Sequence, residues 1–381
     1  MRTVKWNALL SCLCGLAVVL GGVAVSARAD VTTEKGASIL IFPKVRADGT
    51  FDTIIQIANT SNSMRYLQCF YVNASLLDSL THLPCTVPSA TCVPQCQETD
   101  FTIWLTKQQP THWSVSEGRY FNPNAGFGTY DSGFVPGHIP PVTDFVGELK
   151  CIEVDASGNP SISNSLKGEA TLVSLVTGGG STLSSNLTAE GDVAKYNAIG
   201  IQGNPDVAPV NPLLLDGGAT YNACPAKLIL NHFTSGAPDI VVSELTTDTS
   251  AEFTDLTLVP CNEDFENQIP KSVTVQFLVY NEFEERYSTS ITVSCFLETE
   301  LANIGQVFTY GFLGTEVAQA IITPVVQADG SSGGLVGIAE RITTVEVASP
   351  ATAARAAYNL HSEGSFIPPI GPDQITLPAE Q

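Results

Sequence analysis

Three short patterns occur twice in this chain, in the same order each time, and any fold must accommodate both copies. Asp52-Thr53-Ile54-Ile55-Gln56-Ile57-Ala58-Asn59 aligns with Asp255-Leu256-Thr257-Leu258-Val259-Pro260-Cys261-Asn262. Leu166-Lys167-Gly168-Glu169-Ala170 matches Leu335-Val336-Gly337-Ile338-Ala339, a Leu-x-Gly-x-Ala pattern, and Ala194-Lys195-Tyr196-Asn197 matches Ala356-Ala357-Tyr358-Asn359. A single four-residue match would be chance in 381 residues, but shared order predicts a duplication. The units would be 30–218 and 219–381.

Within each unit the chain reads as short runs rich in β-branched and aromatic residues, separated by turn residues. The first unit carries such runs at 38–42, 53–58, 66–72, 101–105, 147–154 and 170–176. The second carries them at 227–233, 273–280, 288–296, 306–312 and 316–326. Asp48-Gly49, Ser157-Gly158-Asn159-Pro160, Asp216-Gly217-Gly218 and Asp329-Gly330 tolerate positive φ or preset a bend. Helical periodicity is scarce beyond the N-terminal segment. The expectation is an all-β protein of two antiparallel β-sandwich domains in tandem, immunoglobulin-like in layout although the Cys-Trp-Cys hallmark is missing. Two stretches interrupt the pattern: a Cys- and Pro-rich insertion at 84–97, and a loop at 118–142 rich in Gly, Pro and aromatics.

The N-terminal 29 residues have Arg2 and Lys5, an apolar run from Ala8 to Val25, and Ala27-Arg28-Ala29 before Asp30. This order predicts a cleaved signal peptide, at 1–29, and an exported protein in the periplasm, at the cell surface or outside the cell. A lipid anchor at Cys12 is disfavoured, because most of the apolar run follows that residue. No later run has spanning length, so no transmembrane segment is expected in the mature chain. The formal charge is −21, and losing Arg2, Lys5 and Arg28 makes it more negative. Polyanion binding needs clustered Lys and Arg, so nucleic acid is excluded as a partner.

Eight cysteines remain after the leader: Cys69, Cys85, Cys92, Cys96, Cys151, Cys224, Cys261 and Cys295. Export argues that they are disulfides and not zinc ligands, even though His82, Cys85, Cys92 and Cys96 have a zinc-like composition. Five fall in the first unit and three in the second, so at least one bridge must join the units. Cys224, at the boundary, is the expected crossing residue, with Cys261 bonded to Cys295.

Chemistry-bearing patterns are sparse. Gly330-Ser331-Ser332-Gly333-Gly334 satisfies Gly-x-Ser-x-Gly, but strand-like runs flank it where a nucleophile elbow needs a helix after the serine, and only His361 follows as a base. Acidic clusters at Glu263, Asp264 and Glu266, and at Glu282, Glu284 and Glu285, are candidate calcium ligands, without the ligand order of an EF-hand. They would also serve a paired-carboxylate glycosidase. Otherwise no cofactor is expected. Trp104, Trp113, Tyr120, Phe121 and Tyr130, with Phe127 and Phe134, form a candidate binding surface, where aromatic faces stack on sugars or anchor a protein.

The leader, together with Ser38-Ile39-Leu40-Ile41-Phe42-Pro43, Ala58-Asn59-Thr60-Ser61-Asn62 and Lys195-Tyr196-Asn197, resembles exported bacterial proteins built of tandem β units. The resemblance implies architecture and compartment and carries no activity. The expected function is a non-enzymatic secreted or cell-envelope protein that acts through an interaction with a protein or glycan, or as a structural building block. The alternative is a carbohydrate-binding module using the aromatic loop.

Overall fold

The computed structural model describes residues 31–81, 83–85, 89, 91–119, 138–175, 193–235, 238–242, 247–328, 332–346 and 352–379. The expected leader and most of the aromatic loop lie outside the described residues.

The first half contains β1 (Ile39–Ala47), β2 (Phe51–Asn59), β3 (Arg65–Asn73), β4 (Leu76–Asp78), β5 (Cys92–Pro94) and β6 (Gln97–Leu105). It continues with β7 (Pro110–Ser114), β8 (Phe145–Val154), β9 (Leu166–Ser174), β10 (Val193–Asn197), β11 (Ile199–Ile201) and β12 (Leu213–Leu215). The second half contains β13 (Pro225–Thr234), β14 (Pro238–Val242), β15 (Thr247–Pro260), β16 (Glu263–Asp264), β17 (Ser272–Tyr280) and β18 (Arg286–Ser294). After β19 (Leu297–Glu300) come two short helices, α1 (Leu301–Ile304) and α2 (Tyr310–Leu313), with a 3₁₀ turn between them. The chain ends with β20 (Val317–Pro324), β21 (Leu335–Glu346), β22 (Thr352–Asn359), β23 (His361–Ser365) and β24 (Asp373–Thr376).

The order β11-β1-β8-β3-β6 in one five-stranded sheet recurs as β23-β13-β20-β17-β18 in another. Likewise β10-β9-β2 recurs as β22-β21-β15. Tyr196 lies opposite Ala170, as Tyr358 lies opposite Ala339. Gly168 lies opposite Ile57 and Gly337 opposite Leu258, so the Asp-to-Asn match in the sequence is two residues out of register. A slip of two keeps every side chain on its own face, which is why the apolar positions still agreed. Even a β-bulge is repeated, between Phe42 and Val45 in β1 and between Leu230 and Phe233 in β13.

The chain is all-β, as expected, but it is not two tandem immunoglobulin-like sandwiches. The described strands form five small sheets of three to five strands and one two-stranded sheet, and their cores cross the midline of the sequence. One core packs Ile39, Ile41, Phe70 and Ile152 from the first half against Val259, Phe265, Phe296, Val336 and Ile375 from the second. Another, centred on Phe42, Ile57, Tyr71 and Trp113, also takes in Ile338. The physical reason is double coverage. Along β1, Leu40 and Phe42 enter the first-half core while Ile39 and Ile41 enter the shared one. Strand β8 is buried at nine of its ten positions. An immunoglobulin-like sheet would keep one face in water, whereas a sheet covered on both faces reads as an uninterrupted apolar run.

The strand expected over 306–312 is also corrected, because Gln306–Phe308 is 3₁₀ and Tyr310–Leu313 is helical. Phe308 turns inward there and meets Phe233 and Phe277 edge-on, at centroid distances of 5.5 and 5.4 Å. Burying that ring outweighs the β propensity of the run. No helix among the described residues is long and apolar enough to cross a membrane.

Candidate functional site

The Cys-rich insertion builds a wall. Strands β4 and β5 pair as a small hairpin, Cys85–Cys92 closes its loop, and Cys96, just past β5, is bonded to Cys295, just past β18. Cys69–Cys151 and Cys224–Cys261 complete four bridges. All eight cysteines among the described residues are therefore oxidised, so none of them is a thiolate ligand of the kind a zinc site needs. The expected pairing of Cys261 with Cys295 is wrong, and the bridge between the halves is Cys96–Cys295. Phe265 from the second half stacks on Phe70 from the first at 3.8 Å, so tertiary packing and not boundary position brings the crossing pair together.

Between the hairpin and strands β18 and β19 lies a groove of about 720 Å³. Leu76, Val93, Val146, Ile291, Phe296 and Leu297 give it apolar walls, and Arg46, Asp255 and Glu298 stand at its edge. β18 is the outer strand of its sheet, and among the described residues only β17 pairs with it.

The charged edge of the groove follows from the β1 bulge. Pro43 has no N–H to give the ladder, and the extra residue switches the alternation, so that Val45 and Ala47 enter the first-half core while Lys44 and Arg46 turn to the second half. The Lys44 side chain is 1% exposed and its ammonium meets Glu298 at 2.9 Å, Asp255 at 3.4 Å and also Glu340. Burial works to lower its pKa, but the three carboxylates outweigh burial and raise it. Arg46 reaches Glu298 at 3.2 Å and pairs with Asp48, and Arg355 stands 3.8 Å from Glu340. Glu298 is lowered despite its burial, because Lys44 and Arg46 face it. Burial prevails at Asp255, whose pKa is raised.

A second ionic cluster lies wholly inside. Lys150 on β8 bonds Glu148 at 2.9 Å and Glu263 at 2.6 Å, and all three side chains are 1% exposed or less. Burial, with Glu263 nearby, pushes Glu148 up to about 8. Glu98 on β6 is also pushed up to about 8, by burial first and then by Glu263.

The residues singled out from sequence are dispersed. Trp113 is 3% exposed and donates its Nε1–H to the Tyr71 hydroxyl at 2.6 Å, so it is core and presents no face to a ligand. Trp104 is half-buried, 6.4 Å from Tyr66. Tyr120, Phe121 and Tyr130 lie outside the described residues. The six candidate calcium ligands fall at opposite ends of the nine-residue strand β17, about 30 Å apart, and cannot share an ion. Glu263 is committed to Lys150, Asp264 holds the Asn267 amide, and Glu285 accepts from Tyr287 and Asn281. Among the described residues no group of three His, Cys, Asp or Glu is arranged to hold a metal. Ser332 stands between strands β20 and β21, with no helix after it, and His361 faces Glu363 at 3.5 Å.

Sequence reasoning missed Lys44, Lys150, Glu148 and Glu340. Their one signal was position: charged residues set into runs that are apolar at both odd and even places, as in Gly147-Glu148-Leu149-Lys150-Cys151-Ile152. No family model and no curated protein matches the chain.

Proposed function

We propose that the protein is a non-enzymatic binding protein of the cell envelope or exterior, and that the groove beneath the bridged hairpin receives an extended segment of a partner protein. The observation that carries this reading is the groove itself: apolar walls, a free edge strand along one side, and a size within the range of ligand sites. A strand edge offers main-chain hydrogen bonds to an extended peptide, and pockets beside it select alternate side chains. Two disulfides stiffen the hairpin wall, so little ordering is left for binding to drive. A formal charge of −21 favours a partner segment that is cationic as well as apolar. Four disulfides are consistent with action in an oxidising compartment.

Selection from a random-peptide library against the full chain tests the proposal. Binders with alternating apolar residues and net positive charge are expected, and Leu297→Arg should weaken them at least about tenfold, the factor that about 1.4 kcal/mol produces. An absence of binders, or binders indifferent to Leu297→Arg, contradicts it. Glycan binding that depends on Trp104 and survives Leu297→Arg would favour the carbohydrate reading instead.

A further inference from the structure

The Lys150 cluster has the components of a condensation. A lysine amine and a glutamate carboxyl are held together at 2.6 Å, a second carboxyl stands 2.9 Å from the same amine, and all three side chains are shielded from bulk solvent. Glu148 turns its other oxygen, Oε2, to a place where no hydrogen-bond partner meets it, although the residue is fully buried. Glu263 comes from β16 in the second half, and the stacked Phe70 and Phe265 rings lie alongside, with Lys150 Nζ 6.0 Å from the Phe265 centroid.

We propose that Lys150 and Glu263 condense into an intramolecular amide joining the two halves of the chain, with Glu148 moving the protons. The ion pair first becomes a neutral pair, as the Lys150 ammonium passes one proton to the Glu263 carboxylate. Burial works against the ammonium and the two facing carboxylates hold its pKa up, so the neutral pair is a minor state, reached because two buried charges are removed together. The amine then attacks Cδ of Glu263, one bond beyond the oxygen it already touches, a separation suited to reaction. Protonated Glu148 gives its proton to the departing hydroxyl, and water leaves as the C–O bond breaks. Glu148 regains a proton from the nitrogen. One C–N bond is formed, one water molecule is released, Glu148 is unchanged, and nothing is oxidised or reduced. Its raised pKa suits Glu148 to this role, because it holds a proton near neutral pH.

Lys44 is the lesser candidate for the same chemistry. Arg46 shares Glu298 with it and Arg355 stands near Glu340, and Asp255 and Glu298 are 16% and 14% exposed to water.

The test is the intact mass of the full chain after reduction and alkylation, followed by peptide mapping. A deficit of one water molecule is expected, together with a branched peptide that joins Lys150 to Glu263. Lys150→Arg should restore the full mass. Glu148→Gln should fold with four bridges and form the link at least about tenfold more slowly. Full sequence mass in the unmodified protein overturns the proposal whether or not the variants fold, as does a deficit mapped to another pair. A link that forms at the ordinary rate in Glu148→Gln removes Glu148 from the mechanism.

Discussion

At the scale of single residues, the buried carboxylates set how the protein responds to pH. Glu148 and Glu98 are pushed up to about 8, by burial first and then by neighbouring carboxylates, from an ordinary 4.5. An acid whose pKa is raised by folding keeps its proton longer in the folded chain, so folding is favoured below the ordinary value and loses that advantage as pH climbs through the raised one. Denaturant midpoints should therefore fall between about pH 5 and about pH 8, with a shallower fall in Glu148→Gln. A midpoint that rises over this window contradicts the assignment. Lys44 makes the opposite kind of prediction. Lys44→Met takes from Asp255 its cation and leaves Glu298 and Glu340 to Arg46 and Arg355 alone, and removing one partner of a buried ion pair costs about 3–5 kcal/mol. Urea unfolding measures this, and a loss below about 1 kcal/mol would show that water reaches the cluster. None of these roles was assigned from the sequence, where the one sign was a charge set into a run that is apolar at both parities, as in Gly147-Glu148-Leu149-Lys150-Cys151-Ile152. What buries these charges is the other half of the chain, 211 residues away at Lys44–Asp255 and 113 at Lys150–Glu263.

At the scale of elements, periodicity served well and coverage was misjudged. The alternation in Ser272–Tyr280 gives a strand with one buried face, as β17 is. The runs in β1 and β8 are apolar at both parities, and that was the available sign that a second layer covers their outer face. The Leu-x-Gly-x-Ala mark has a steric cause in both copies. A Cβ on Gly168 would lie 2.5 Å from the Phe42 ring and 2.9 Å from Ala198, and one on Gly337 would strike the Thr257 carbonyl. Gly168→Ala should cost about 1–3 kcal/mol by overpacking, and Gly337→Ala should cost more, because backbone yields less readily than a ring. Thermal melts of both variants check the order, and equal, negligible shifts would deny the close approach. The binding surface proposed from aromatic content failed at Trp113 for a related reason: its indole fills the core against Tyr71 and Phe101.

At the scale of the whole molecule, two copies of one strand order are joined without becoming independent. Asn359 at the end of β22 donates to the Asn197 carbonyl at 2.7 Å and accepts from its N–H at 3.2 Å, so two edge strands that correspond in the repeat meet at the midline. The shared core and Lys44 with its three carboxylates add to that joint. Cys96–Cys295 closes it over a separation of 199 residues, worth roughly 5 kcal/mol in the chain-entropy model. The recurrence of strand order left local patterns in the sequence, although the Asp-to-Asn mark was two residues out of register. The joint left none, because it consists of contacts between residues far apart in the chain, and an odd count of cysteines in each half said only that one crossing must exist. The proposed groove depends on this joint, since one wall comes from each half.

Disulfide mapping of the native chain by non-reducing proteolysis and mass spectrometry tests that joint most directly. Cys96 bonded to Cys295, with Cys69–Cys151, Cys85–Cys92 and Cys224–Cys261, is the predicted result. Cys96 bonded within the first half, with Cys295 joined to Cys261 or Cys224, would contradict the account, because the hairpin would then be free of β18 and the groove would have no fixed wall.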